Sequence, residues 1–417
     1  MLAVVGWGLA QRLFTGPEPN RPRPSARGLI VVFAPLALIS LFRWRRQDDS
    51  DVWVTYFFWT FFLGMATWWA LERSIRLSIF WGVVGIAIAS SDNRRAWKEF
   101  ISAEHRGKGN TMHLRERLKQ HSDANTNGLE QEILVAMLPC PLRIQFPSYD
   151  EFTSAIRIRK NIVDAAQKTA IAFATNAAER PADFWTYDED RGAILLPGKS
   201  LITALQMATQ PSESGQLYTF SCRRAVEYIM LLALTEEAKD HNMELYNKFH
   251  LQAETRAIKG GEFERVYIRN LGSVDESLPA QYFIPGDRTW FRNPDKTSSE
   301  VLGFEGSWTY YLGGDRFADF WRRDNVYTLT TKCLTIFHWR NATYNSGKGE
   351  LQVNEKRVEE LVQKSLSDLQ ETETILDEML QLQAPMDTFT GGSIESHREF
   401  PRHIFRGSAD IMLPDVV

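Results

Sequence analysis

The stretch Gln216–Leu234, QLYTFSCRRAVEYIMLLAL, decides the fold of this chain. From Cys222 onward its apolar residues recur at helical spacing, which predicts a buried helix that begins at or beside the cysteine. There the unpaired amide N–H groups and the helix dipole favour a thiolate, and we expect Arg223 and Arg224 to act in the same direction. The stretch therefore predicts a cysteine nucleophile, although a cysteine beside an apolar helix is more commonly a small core residue.

Composition narrows the class of protein. The 417 residues, 44% of them hydrophobic, are enough for one or two packed domains. A net charge of -4 gives no basic excess of the kind that nucleic-acid binding needs, so we expect no nucleic-acid partner. The cysteines are widely spaced without a CxxC pair, and no acidic loop of EF-hand type is present. We therefore expect no disulfide framework, no metal site and no cofactor.

The first part of the chain differs from the rest. Residues 1–28 form a basic, proline-rich segment, and 29–92 contain three apolar runs, of which 52–71 is long enough to cross a membrane. Basic clusters precede the second run and follow the third, which would place both on the cytoplasmic side. We predict a membrane region of two or three apolar helices, with a hairpin lying in the interface as the alternative. A polar tether over 93–130 would then lead to a cytoplasmic domain.

The composition becomes globular over 131–348. A capping-box-like start at Ser148–Glu151 precedes a long helix, and the Cys222 helix follows it. Residues 262–345 then alternate in short β-like runs, the last two over 327–331 and 333–339. A helical half followed by a strand-rich half predicts an α+β domain, in which a nucleophile at a helix start faces partners carried on strands.

Two further segments follow the predicted domain. Residues 349–385 predict an amphipathic helix, because apolar residues recur on a polar, acid-rich background. Its residues 350–383 could pack on the domain, which we favour, or support self-association. Residues 386–417 contain few apolar clusters, so we predict a flexible tail.

Collinear segments over about residues 146–325 carry a second signal. They are Arg159–Ala166, Phe173–Thr175, Phe184–Trp185, Leu217–Cys222, Phe283–Asp287, Trp290–Pro294 and Tyr311–Gly313. In order and spacing these segments resemble the small bacterial spore-coat protein-glutamine γ-glutamyltransferases. The resemblance implies a papain-like α+β cysteine transferase domain, with Cys222 at the nucleophile position. It also implies a transamidation between two partners, a protein glutamine that forms a thioester and releases ammonia, and a lysine amine that resolves the thioester into an isopeptide bond.

Three positions depart from the family pattern. Ser221 stands where the family has a glutamate before the nucleophile, Ser307 where it has a second glutamate, and Asp319 where it has a histidine. Serine hydroxyls do not take up a proton near neutral pH, and general acid–base catalysis is worth about 10²–10⁴ in rate. The candidates for a replacement base or orienting group are Glu305, Asp319, His250 and His338.

Three functions follow from these matches and departures. The first is a membrane-anchored acyltransferase of the transglutaminase type that uses Cys222. The second is a cysteine amidase or deamidase on the same fold, in which water replaces the amine. The third is a catalytically impaired pseudoenzyme, a membrane-tethered binding module that retains the scaffold.

Overall fold

The computed structural model describes residues 128–142, 144, 146–173, 179–210, 215–318, 320, 326–347, 349–384, 388–408 and 410–414. The predicted N-terminal segment 1–28, the membrane region 29–92 and nearly all of the tether lie outside these residues, as does Asp319. Within the described ranges, no helix has the length and apolar character that a membrane span needs.

The first half of the described chain is mainly helical. Its helices are α1 (Gly128–Met137), α2 (Tyr149–Lys168), α3 (Leu201–Thr209), α4 (Cys222–His241), α5 (Met243–Thr255) and α6 (Gly261–Tyr267). The predicted helix at Cys222 is confirmed as α4, whose N-cap Ser221 accepts a hydrogen bond from the backbone N–H of Arg224. Ala225, Val226 and Ile229 are fully buried, so α4 forms the centre of the first core.

Short strands accompany these helices. They are β1 (Ala172–Phe173), β2 (Trp185–Asp188), β3 (Gly192–Leu195), β4 (Thr219–Phe220) and β5 (Ile268–Leu271). The parallel pairing of β1 with β4 fixes the segment that enters α4, so Cys222 follows a strand that is itself held in register.

A three-stranded antiparallel sheet separates two cores. Its strands are β6 (Arg288–Arg292), β7 (Gly306–Gly313) and β8 (Arg316–Phe317), with β7 in the middle. Because side chains alternate along a strand, Tyr310 packs in the first core with α4, whereas Tyr311 packs in a second core. The Tyr310 hydroxyl donates a 2.7 Å hydrogen bond to the carbonyl of Val226, which ties β7 to α4. Helices and sheet together confirm the predicted α+β class.

The second core is built on a helix where we predicted two strands. A four-residue helix α7 (Lys296–Ser299) precedes β7, and α8 (Leu329–Ala342) occupies the predicted strands 327–331 and 333–339, so that prediction is wrong. Thr328 and Thr331 form a capping box that starts α8. Cys333, Leu334 and Ile336 are all fully buried, which leaves no polar stripe to reveal the helical period.

The remaining elements cover α8 and return to the first core. They are β9 (Thr343–Asn345), β10 (Leu351–Val353), α9 (Glu355–Leu366), α10 (Leu369–Met379) and β11 (Arg398–Pro401). The single helix predicted over 349–385 is two helices, because Asp368 caps the start of α10. Both pack on α8 through apolar residues such as Val362 and Ile375, as we favoured. Self-association of this segment stays a prediction.

The C-terminal residues are ordered where we predicted a flexible tail. Strand β11 pairs antiparallel with β5, and Ile404 is fully buried in the first core. The side-chain amide of Asn242, at the end of α4, donates a 2.8 Å hydrogen bond to the Ile404 carbonyl. The prediction for 386–417 is therefore wrong for this stretch, because backbone pairing and a few well-placed side chains hold it.

Candidate active site

Cys222 is the first residue of α4 and its side chain is partly buried. The backbone N–H groups of Trp308 and Arg223 lie near its sulfur, and both stabilise the thiolate. The ammonium of Lys332 acts in the same direction. Burial is the strongest influence and acts the other way, so the pKa of the Cys222 thiol lies above its ordinary value, with the Glu305 carboxylate contributing to the rise. Three thiolate-stabilising groups therefore lie near the sulfur, while its partial burial has the larger, opposite effect on the pKa.

The two arginines after Cys222 have other partners. Arg223 forms a 2.9 Å ion pair with Glu264 of α6, and Arg224 forms a short one with Glu227, one turn along α4. Glu227 is nearly fully buried and also accepts the backbone N–H of Gly260 at 2.9 Å. We predicted that these arginines would favour the thiolate. Instead, their charges are largely balanced by carboxylates, and their contacts fix α6 against the start of α4.

Lys332 is the principal residue of the site that the sequence analysis missed. It lies in the first turn of α8, is only 6% exposed, and its Nζ donates a 2.8 Å hydrogen bond to Oγ of Ser307. The same ammonium lies 4.3 Å from the ring centroid of Tyr327. Ser307 itself occupies the position where the family resemblance implies a glutamate. The signal that could have revealed Lys332 is a single lysine within the otherwise uncharged stretch from Tyr327 to Trp339.

The candidate bases of the sequence analysis lie in different places. Glu305 precedes β7, is exposed, and accepts the backbone N–H of Gly303 at 3.0 Å, close enough to Cys222 for its charge to act on the thiol. His250 on α5 contacts the Lys199 carbonyl at 2.7 Å and approaches Glu254 at 3.6 Å, away from the groups that act on the sulfur. Asp319 lies outside the described residues.

His338 lies within the second core. Its Nε2 is 2.8 Å from Oγ of Ser365 on α9, and burial lowers its pKa. The structure therefore brings Cys222, Ser307, Glu305 and Lys332 together and places both histidines elsewhere. The catalytic roles of these residues stay predictions.

A buried ion network supports Trp308. The ring of Trp308 lies against that of Trp290, tilted by 38° with 5.3 Å between centroids, and the guanidinium of Arg288 lies 4.4 Å from the Trp308 ring centroid. Arg288 is fully buried and pairs with Glu399 of β11 and, at 3.2 Å, with Glu264. These contacts connect β6, β11 and α6 beside Trp308, whose backbone N–H group stabilises the Cys222 thiolate. They explain how the backbone of Trp308 is held in place.

Among the described residues, no group of three or more histidine, cysteine, aspartate or glutamate side chains could hold a metal ion.

Comparison with known proteins gives the family. The family described as protein-glutamine gamma-glutamyltransferase matches residues 110–334, more than half of the chain, and that range contains Cys222, Ser307 and Lys332. Comparison with curated protein sequences gave no match. A solved transglutaminase from Geobacillus stearothermophilus, without its C-terminal extension, is 20% identical with a TM-score of 0.37, over 52% of this chain and 98% of that chain. On the extent of the family match, the chain belongs to the protein-glutamine gamma-glutamyltransferase family.

Proposed function

We propose that this chain transfers the γ-glutamyl group of a protein glutamine to a lysine amine through a thioester on Cys222. The observation that supports this most is the set of groups around the sulfur, namely the N–H groups of Trp308 and Arg223 and the ammonium of Lys332. Each of these groups stabilises the thiolate, although burial of the sulfur acts against them and raises the pKa of the thiol overall. The thiolate would attack the carboxamide carbon, ammonia would leave as the C–N bond breaks, and the amine would then displace the sulfur.

Amine incorporation with parallel ammonia release tests this proposal. We would incubate the protein with a glutamine-rich protein and a fluorescent primary amine, and measure ammonia and labelled product from pH 6 to 10. The expected result is equal amounts of both, with rates that rise through the alkaline range, because burial raises the pKa of Cys222 and the thiolate increases with pH.

The other outcomes separate the alternatives. Ammonia without labelled product, even at high amine concentration, would contradict acyl transfer to amines and indicate an amidase or deamidase. Neither product at any pH would contradict both enzymatic functions and favour the pseudoenzyme.

We also propose that residues 29–92 anchor the chain in a membrane, with the domain on the cytoplasmic side. The support is in the sequence, in the uncharged run 52–71 and the basic clusters beside the apolar runs. We expect the full chain to stay in the membrane fraction after alkaline carbonate extraction, and a C-terminal tag to resist protease added to intact cells. A chain that is released by carbonate would contradict the anchor, and a tag cleaved in intact cells would contradict the orientation.

A further inference from the structure

The proposed acyl transfer needs a group that gives a proton to the leaving ammonia and takes one from the attacking amine. We infer that Lys332, acting through the hydroxyl of Ser307, is this proton carrier, and that its ammonium is the counter-ion of the Cys222 thiolate. The inference rests on the proposed function and deepens it, because it assigns the acid–base role at a site where the family glutamate is absent.

The geometry places Lys332 for this role. Its Nζ lies 2.8 Å from Oγ of Ser307, and Ser307 directly precedes Trp308, whose backbone N–H group stabilises the Cys222 thiolate. Cys222 comes from the first core and Lys332 from the helix of the second core, so the two groups approach each other at the first residues of β7. A hydroxyl between an amine and the reacting atoms can accept a proton on one side while it donates one on the other.

The position of Lys332 is unfavourable for a lysine without a function. A buried ammonium loses its hydration, and a cation in the first turn of a helix faces the positive end of the helix dipole. Lys332 meets both conditions, at 6% exposure and four residues after the N-cap Thr328, and the Ser307 hydroxyl and the Tyr327 ring are among the groups that contact it. The next residue, Cys333, is an apolar side chain fully buried in the second core, so Lys332 is the charged member of a buried pair of neighbours. A buried charge with an unfavourable location is typical of a functional group.

Among the described residues, the other charged groups that act on the sulfur do not offer the same role. Glu305 is the carboxylate whose charge acts on Cys222, and it opposes the thiolate, while its Oε2 is held by the N–H of Gly303. Arg223 and Arg224, on the same helix as Cys222, form ion pairs with Glu264 and Glu227. Arginine also holds its proton too firmly to exchange it. Lysine, by contrast, acts as an acid or base in enzymes when it is removed from water.

The two half-reactions balance with Lys332 as carrier. In the first, the Cys222 thiolate forms a C–S bond with the carboxamide carbon. The C–N bond then breaks as the Lys332 ammonium passes a proton through Ser307 to the leaving nitrogen. The nitrogen departs as ammonia, and Lys332 becomes a neutral amine. In the second, the substrate amine attacks the thioester and gives its proton through Ser307 to Lys332. The amide forms, the C–S bond breaks, and thiolate and ammonium are restored.

Thiol alkylation tests the counter-ion role without a glutamine substrate. We would measure the rate at which iodoacetamide modifies Cys222, by mass spectrometry of the peptide, as a function of pH. We expect Lys332→Met to move the midpoint upward by about one pH unit and to slow alkylation about tenfold near neutral pH, because an opposite charge is lost. Lys332→Arg keeps the charge and is expected to stay within about threefold of the unmodified protein. Lys248→Met, at an exposed lysine on α5, is the matched control and is expected to change nothing.

Acyl transfer in the same variants tests the proton-carrier role. Lys332→Arg is expected to lose about 10²–10⁴ in ammonia release although its thiol remains reactive, because a guanidinium does not give up a proton. Ser307→Ala is expected to lose a similar factor, because it interrupts the path while it leaves the ammonium in place. Full ammonia release by Lys332→Arg would overturn the carrier role, and unchanged alkylation in Lys332→Met would overturn the counter-ion role.

The design separates failure of this inference from failure of the proposed function. If the unmodified protein releases no ammonia from glutamine substrates, the acyl transfer is wrong, whereas the alkylation series still decides whether Lys332 is the counter-ion. Circular dichroism would confirm that each variant is folded. If Lys332→Met does not fold, Lys332→Gln, which keeps a hydrogen-bond donor for Ser307, makes the same comparison.

Discussion

Replacement of Cys222 by alanine is expected to lower ammonia release and amine incorporation together by at least about 10⁴-fold, because the thioester has no other sulfur on which to form at this place. Burial raises the pKa of Cys333 to about 12, and that side chain is fully enclosed in the second core. Cys140 is partly buried, and burial also raises its pKa. Of the three thiols, only Cys222 combines partial exposure with the N–H groups and ammonium described above.

Cys140→Ala is the matched control for this experiment. It removes a partly buried thiol from the same domain, and we expect activity within about twofold of the unmodified protein, since the side chain lies outside the site. Ammonia release that survives Cys222→Ala would show that the chemistry runs elsewhere. Loss of activity in both variants would point to a general effect on folding, which a urea titration of each variant would measure.

The helix that carries the nucleophile could be predicted from the sequence, whereas the helix opposite it could not. In α4, the apolar spacing after Cys222 and the capping serine agree on a helix and on its start. In α8, the run TLTTKCLTIFHW is rich in threonine and isoleucine, which favour strands, and burial on most sides leaves no helical period. Packing against α9 and α10 overrides the local preference.

That error hid part of the candidate site. Cys222 and Ser307 could be placed from the resemblance, and Glu305 as a carboxylate two residues before Ser307. Lys332 lies between two segments that we assigned to strands, whereas the structure places it on a helix and next to Ser307. The pair of Arg224 with Glu227 has the i,i+3 spacing of helix neighbours, but spacing along the sequence gave no sign that Arg223 would find Glu264, 41 residues later. Long-range ion pairs depend on the tertiary fold, which composition does not reveal.

The order of the C-terminal strand β11 could not be predicted from the sequence either. Few apolar clusters follow Pro385, so composition predicted a flexible tail. The strand is held instead by pairing with β5 and by the ion pair that Glu399 makes with Arg288, more than 100 residues earlier in the chain. Neither interaction leaves a local pattern in the sequence. A test of this ion pair is therefore also a test of how the end of the chain is fixed.

Arg288→Met is expected to lower the free energy of unfolding by about 3–5 kcal/mol, because it leaves Glu399 buried without its partner. Arg288 is fully buried, Glu399 is 4% exposed, and two hydrogen bonds join them, one of them at 2.7 Å. Urea unfolding followed by tryptophan fluorescence measures the change. Arg357→Met is the matched control, since its 3.2 Å pair with Glu360 is exposed on α9 and such pairs contribute at most about 1 kcal/mol.

A double variant identifies the cause of the loss. If the cost of Arg288→Met comes from the uncompensated carboxylate, Arg288→Met with Glu399→Leu should recover much of the stability, because no buried charge remains in that pair. If the cost comes from the lost contact of the guanidinium with Trp308, the second substitution should recover little. A loss below about 1 kcal/mol in the single variant would contradict the network as a support for β11. The backbone N–H group of Trp308 also stabilises the Cys222 thiolate, so we expect Cys222 to be alkylated more slowly in Arg288→Met. In the double variant we expect the alkylation rate to recover only if the second substitution also restores the position of the Trp308 backbone.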